Sequence, residues 1–172
     1  MNGGRPRGLD VYQVLTVNGP RTDVSDTTTY TVNAQGNVAT VKNALNQTTQ
    51  IPDYDAHGRP RQVIDPNGLV TALDYTPRGW LKLRTVGTET TTYDYDGVGQ
   101  LSKVTLPDSS TISYTYDAAH RLTELQDNLG NKLHYTLDLM GNRTKEDVTD
   151  PAGTLAQTRS RVYDSLNRLQ SE

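Results

Sequence analysis

The chain has 172 residues, 33% of them hydrophobic and 22% charged, with no Phe, one Trp, no Cys and a formal net charge of −3. That is too little apolar bulk for a thick two-layer globule, yet the plentiful Thr, Val and Tyr and the weak charge exclude a disordered chain. The mild acidity gives no electrostatic case for nucleic acid or an anionic membrane as partner, and without Cys no disulfide framework or thiolate zinc site can form.

The opening, Met1-Asn2-Gly3-Gly4-Arg5-Pro6-Arg7-Gly8, lacks the apolar run of a signal peptide, and no stretch approaches the length of a membrane span. A soluble chain with no membrane insertion is the expectation. Val11–Val17 reads as a strand before an Asn18-Gly19 turn, an irregular hairpin or linker filling residues 1–27. Residues 28–172 then carry about seven repeats of roughly 21 residues.

Each repeat ends on a tight turn: Asn33-Ala-Gln-Gly36, Asp55-Ala-His-Gly58, Thr76-Pro-Arg-Gly79, Asp96-Gly-Val-Gly99, Asp117-Ala-Ala-His120, Asp138-Leu-Met-Gly141 and Asp164-Ser-Leu-Asn167. Asp, Asn or Thr at the first position accepts a hydrogen bond from the N–H two residues on, which starts the turn. Gly, His or Asn at the fourth suits a left-handed residue that closes a type I turn with a bulge. A second, looser set lies between them: Asn43-Ala-Leu-Asn46, Asp65-Pro-Asn-Gly68, Pro107-Asp-Ser-Ser110, Asp127-Asn-Leu-Gly130 and Asp150-Pro-Ala-Gly153. Two turns per repeat leave strands of about five to seven residues, the usual length, and no helical stripe competes. The fold class is all-β: tandem antiparallel hairpins forming a curved or spiralling open sheet.

Nine of the ten tyrosines stand one or three residues before a turn start. Residues at those offsets share a strand face, so the rings are expected to stack into a row across the sheet. That row, with Trp80, Tyr93, Tyr95, Tyr114 and Tyr116 as its candidate ligand platform, carries the alternative function, an adhesion module for carbohydrate or receptor. Cross-strand packing is the simpler reading. His57 and His120 sit in turns and His134 in a strand, with no metal-binding spacing and no convergent catalytic set, so neither enzyme nor cofactor is expected. The turn Asp residues lack the glycine-dense nonapeptide period of calcium-binding solenoids, and Gly36 and Gly99 open no helix that could hold phosphate.

Tyr54-Asp55-Ala-His-Gly58-Arg-Pro60, Tyr95-Asp96-Gly-Val-Gly99-Gln-Leu101 and Tyr116-Asp117-Ala-Ala-His-Arg-Leu122 resemble the motif of the YD-repeat or Rhs family. Similar runs occur in bacterial Rhs polymorphic toxins, in shell subunits of insecticidal toxin complexes and in teneurin ectodomains. The resemblance spans roughly residues 28–170. It implies hairpins wound into a spiralling shell around a toxic C-terminal segment, or an adhesion surface, in a secreted or surface-delivered parent. The departures are Asn33 and Thr76 in place of Asp, His120 and Asn167 in place of Gly, and Val32 and Leu137 in place of Tyr. Asp150-Pro-Ala-Gly153 superficially matches part of that family's self-cleavage site, but Asp65-Pro-Asn-Gly68 has the same form and is a repeat turn. The expected function is therefore a non-catalytic wall segment that encapsulates or presents a C-terminal toxin domain. Its partners are the rest of the parent protein and its cargo, with glycans under the alternative. Neither end of the array carries an obvious cap, so self-association through the sheet edges is also expected.

Overall fold

The computed structural model describes residues 15–20, 23–24 and 26–172. The expected strand at residues 11–14 lies outside them; its last part is β1 (Thr16–Val17), paired with Thr28 and Thr29. By contacts the chain divides into two units, Met1–Thr71 and Ala72–Glu172. Fourteen strands, in chain order, form one open antiparallel sheet, with no helix among the described residues. The all-β hairpin array is thus the fold that the turn spacing implies.

The first unit holds β1, β2 (Thr28–Val32), β3 (Val38–Lys42), β4 (Thr48–Tyr54), β5 (Pro60–Ile64) and the start of β6 (Val70–Tyr75). The second continues β6 into β7 (Leu81–Val86), β8 (Glu89–Tyr95), β9 (Leu101–Thr105), β10 (Thr111–Tyr116), β11 (Leu122–Asp127), β12 (Lys132–Leu137), β13 (Arg143–Thr149) and β14 (Leu155–Ser160). A separate pair, β15 (Val162–Tyr163) and β16 (Leu169–Ser171), follows.

The sheet is a single layer. Among the described residues only Val104 and Tyr135, each 8% exposed, are buried. Strand alternation sorts the second unit into two faces. One carries the rows Tyr93–Val104–Ile112 and Tyr114–Leu125–Leu133–Val148. Ile112, Leu125, Leu133 and Val148 line an open, almost wholly apolar depression of about 310 Å3 there. The other carries polar rows such as Thr115–Glu124–His134–Asp147–Thr158. Lys132 pairs with Glu124 at 3.1 Å and Lys145 with Asp147 at 2.8 Å on that face. Such half-exposed pairs set register more than they stabilise.

Every turn of the first set has one geometry. The first residue's N–H bonds the fifth residue's carbonyl, and the fourth residue's N–H bonds the first's carbonyl, as in Asp117 N to Arg121 O and His120 N to Asp117 O, both 2.9 Å. The fourth residue is left-handed throughout, including the non-glycines His120 (φ 63°) and Asn167 (φ 60°). The capping oxygen does more than the sequence suggests. Asp117 Oδ1 accepts from the N–H of both Ala119 and Arg121, and the same double bond recurs at Asn33, Asp55, Asp96, Asp138 and Asp164. Thr76, shorter, reaches only the Trp80 N–H at 3.1 Å.

The second set departs from expectation at one place. The turn assigned to Pro107–Ser110 begins at Leu106: Ser109 N–H bonds Leu106 O, and Ser109 is the left-handed residue (φ 69°). Pro107 thereby takes the position for which its fixed φ is preset. Asp108 caps Ser110 instead, through both its N–H and hydroxyl. A further reversal, Gly87-Thr88 between the paired Val86 and Glu89, joins β7 to β8. Gly87 (φ 58°) stands at the first central position, where a II′ turn requires it.

Candidate functional site

The feature repeated along the array is the seam where one hairpin meets the next. Within a hairpin, register shifts one residue before the turn, for example between Thr115 and Tyr116 or between Asp94 and Tyr95. The hairpins β2–β3, β4–β5, β8–β9, β10–β11, β12–β13 and β15–β16 thus carry a bulge near their turns. Thr123, at the bulge, turns its hydroxyl onto Thr115 O at 3.2 Å, and Thr144 does the same to Thr136 O at 3.1 Å. Between hairpins the ladder stops early: β9 and β10 pair only from Thr105↔Thr111 to Lys103↔Ser113. The carbonyls beyond that point need another donor.

Tyrosine supplies it. The Tyr116 hydroxyl donates to Leu101 O at 2.9 Å, Tyr95 to Leu81 O at 2.8 Å, and Tyr54 to Val38 O. In each case the acceptor lies two residues past the left-handed residue of the preceding repeat. Tyr163 reaches Arg143 O in the same way at a marginal 3.5 Å. Burial raises the hydroxyl pKa of Tyr54, Tyr95 and Tyr116, so the donors stay protonated throughout the neutral range. The expected stack of rings is not what these side chains make. Successive tyrosines lie two strands apart, roughly 9.5 Å, with an aliphatic residue between them. Among the described residues the one aromatic pair is Trp80 with Tyr95, centroids 5.2 Å apart and tilted 40°. Tyr93 and Tyr114 lie on the apolar face, opposite Val104 and Leu125.

A second contact ties neighbouring turns, and it uses a position the sequence reading passed over. The residue just after each left-handed one is Asn37, Arg59, Trp80, Gln100, Arg121, Asn142 or Arg168, long hydrogen-bonding side chains with one exception. That regularity was visible in the repeat alignment. Arg121 Nε bonds its own Asp117 at 2.7 Å, while Nη1 reaches Asp138 O of the next turn at 2.9 Å. Gln100 exchanges hydrogen bonds with His120, and Asn142 meets Asn167 at 3.1 Å. Side-chain bonds from Arg121 to Asp117 and from Asn142 to Asp138 lead the causes that hold those carboxyls below the usual range. At Asp55, desolvation pushes the carboxyl up, but the Arg59 backbone and side-chain bonds and the His57 N–H outweigh it and bring it down to about 2.

Trp80 is the exception that explains itself. Its indole lies over the next turn, so close that a Cβ on Gly99 would sit 2.4 Å from Cζ2. The Arg78 guanidinium covers the ring at 5.3 Å and also bonds Gly97 O at 2.8 Å. Trp80 therefore packs one repeat onto the next by contact where its counterparts use hydrogen bonds, and it is half-buried there. No three His, Asp or Glu side chains converge as a metal cluster among the described residues. No helix among them is long and apolar enough to cross a membrane.

The family model for the RHS Repeat matches residues 54–92 and 95–132. No curated protein matches the chain. Among solved structures, a crystal structure of TcdB2-TccC3-Cdc42 aligns with a TM-score of 0.61 at 19% identity, covering 86% of this chain and 10% of that one. The Tc holotoxin pore of Photorhabdus luminescens with a TccC3 mutation aligns at 0.61 and 19%, covering 85% and 10%. TcdB2-TccC3 without its hypervariable C-terminal region aligns at 0.57 and 18%, covering 87% and 10%. At such identities the likeness is one of fold, and the chain spans about a tenth of the length of these structures.

Proposed function

The chain carries YD-type RHS repeats, and from that premise we propose that it is a wall segment of a larger RHS shell that encloses or presents a C-terminal toxin domain. One observation carries the reading. The second unit is a single layer, and one of its faces carries two adjoining apolar and aromatic rows, Tyr93–Val104–Ile112 and Tyr114–Leu125–Leu133–Val148, bordered by Asp127, Glu146, Gln157 and Arg159. A sheet face of that kind is stable only when something covers it, and an enclosed chain segment does so. The seam contacts suit the role, because tyrosine hydroxyls and turn latches hold each hairpin to its neighbour without a core beneath. The parent is on this reading a secreted or surface-delivered protein, and the array's role is architectural.

The test uses the full gene product. Under limited proteolysis its C-terminal segment is expected to survive while the wall is intact, and to be degraded when the seam is opened by Tyr116→Phe with Arg121→Ala. Digestion at the free-segment rate behind an intact wall overturns the proposal. Self-association belongs to the same reading. β14 is exposed along its whole length, and an open edge strand with a single charged residue, Arg159, among Leu, Ala, Gln, Thr and Ser invites another strand. Light scattering over a wide concentration range is expected to show dimers that Thr158→Pro abolishes. A strict monomer throughout means the edge is covered.

A further inference from the structure

Asn–Gly is the dipeptide most prone to self-modification, because glycine has no Cβ to keep its backbone nitrogen away from the asparagine side chain. Two such pairs fall within the described residues, Asn18-Gly19 and Asn67-Gly68. Their surroundings differ in the groups that matter for the reaction.

At the first pair both reacting atoms are held by catalytically useful groups. The Gly19 N–H donates to Asp26 Oδ1 at 2.9 Å, and the Thr27 hydroxyl donates to Asn18 Oδ1 at 3.0 Å. The carboxylate lies directly against Gly19: a Cβ there would sit 2.1 Å from Asp26 Oδ2, so only glycine fits. A carboxylate on the attacking N–H and a hydroxyl donor on the carbonyl oxygen are the general base and oxyanion donor that acyl transfer requires. At the second pair the Gly68 N–H is bound by a backbone carbonyl, Asp65 O, at 3.0 Å. The Asp65 carboxylate is spent on the N–H groups of Asn67 and Leu69.

We propose that Asn18-Gly19 is a self-modification site at which the fold promotes deamidation. Asp26 takes the Gly19 N–H proton as the nitrogen bonds to Asn18 Cγ. The Thr27 hydroxyl stabilises the negative charge that gathers on Oδ1. The Cγ–Nδ2 bond then breaks, and ammonia leaves with the proton from Asp26. Water opens the resulting succinimide at either carbonyl, giving aspartate or isoaspartate, with no oxidant or reductant. The product places a second carboxylate beside Asp26 and, in the iso form, lengthens the backbone by one methylene. Both disturb the turn that follows Thr16↔Thr29 and Val17↔Thr28, so conversion loosens β1 from β2.

The test is a time course of the whole chain at neutral pH and body temperature. Peptide mapping by mass spectrometry reports each Asn–Gly pair, and the chain unfolded in denaturant supplies the unassisted rate. Asn18 is expected to convert about tenfold faster in the folded chain than in the unfolded one, and faster than Asn67, a modest share of what a base and an oxyanion donor supply in enzymes. Asp26→Asn and Thr27→Val are each expected to slow Asn18 while leaving Asn67 unchanged, and Thr27→Ser to retain the rate. Circular dichroism establishes that each variant is folded. Conversion of Asn18 more slowly in the folded than in the unfolded chain, or faster in Asp26→Asn, overturns the proposal, for then the contacts protect the turn.

Discussion

Gly99 and Gly97 stand two residues apart in one turn, and their substitution by Ala separates local strain from seam packing. Gly99 is left-handed (φ 98°), and a Cβ there would lie 2.4 Å from the Trp80 ring; at Gly97 nothing lies within 4 Å and φ is not positive. A non-glycine residue forced left-handed costs about 1–2 kcal/mol. The indole must also move, giving up its packing on the turn and its pairing with Tyr95, worth a further ~0.5–1.5 kcal/mol. Gly99→Ala is thus expected to cost about 2–3 kcal/mol, and Gly97→Ala to fall within about ±0.5. Gly68, left-handed (φ 85°) with open space around it, supplies the strain alone: Gly68→Ala should cost only about 1–2 kcal/mol. Denaturant titration measures all three, and repeating Gly99→Ala in a Trp80→Ala background should remove the excess over Gly68→Ala. Equal costs at Gly99 and Gly97, or an excess that persists without the indole, would refute the reasoning.

Tyr116→Phe leaves the Leu101 carbonyl without its donor and should cost about 1–2 kcal/mol by chemical denaturation, against little for the same change at Tyr114. The converse, Leu137→Tyr, places a hydroxyl where its repeat lacks one and should stabilise by about 0.5–1 kcal/mol; no gain would mean the seam there is already closed by the Arg121–Asp138 latch. Stability should also respond to acid in a defined window. The turn carboxyls are depressed in the folded chain, Asp55 to about 2, so their contribution is complete above the unfolded value, about 4. It is lost as pH falls through the folded value. Thermal midpoints should therefore be flat above roughly pH 4 and drop below it, and Asp55→Asn with Asp117→Asn should flatten that drop.

The hairpin array was legible from the chain because its instructions are local. Asp117 caps its turn through bonds that span only two and four residues, and His120 or Asn167 could replace Gly because each tolerates positive φ. Composition told equally much, since a chain only 33% hydrophobic, with one Trp and no Phe, has little apolar bulk for a thick two-layer globule. Leu106 as a turn start was missed because it has no capping oxygen; Pro107 behind it was the cue. The destination of the tyrosines was another matter. Whether Tyr116 stacks on a ring or bonds a carbonyl depends on where the ladder between β9 and β10 ends, and its bond to Leu101 O joins residues fifteen apart in sequence. Trp80 likewise looks like an exposed platform in sequence, and only the docking of the next turn brings Gly99 under its ring. Sequence determined the hairpins, whose turn bonds close within five residues; tertiary structure decided the seams, because splayed strands and their spare carbonyls exist only once neighbouring hairpins have paired.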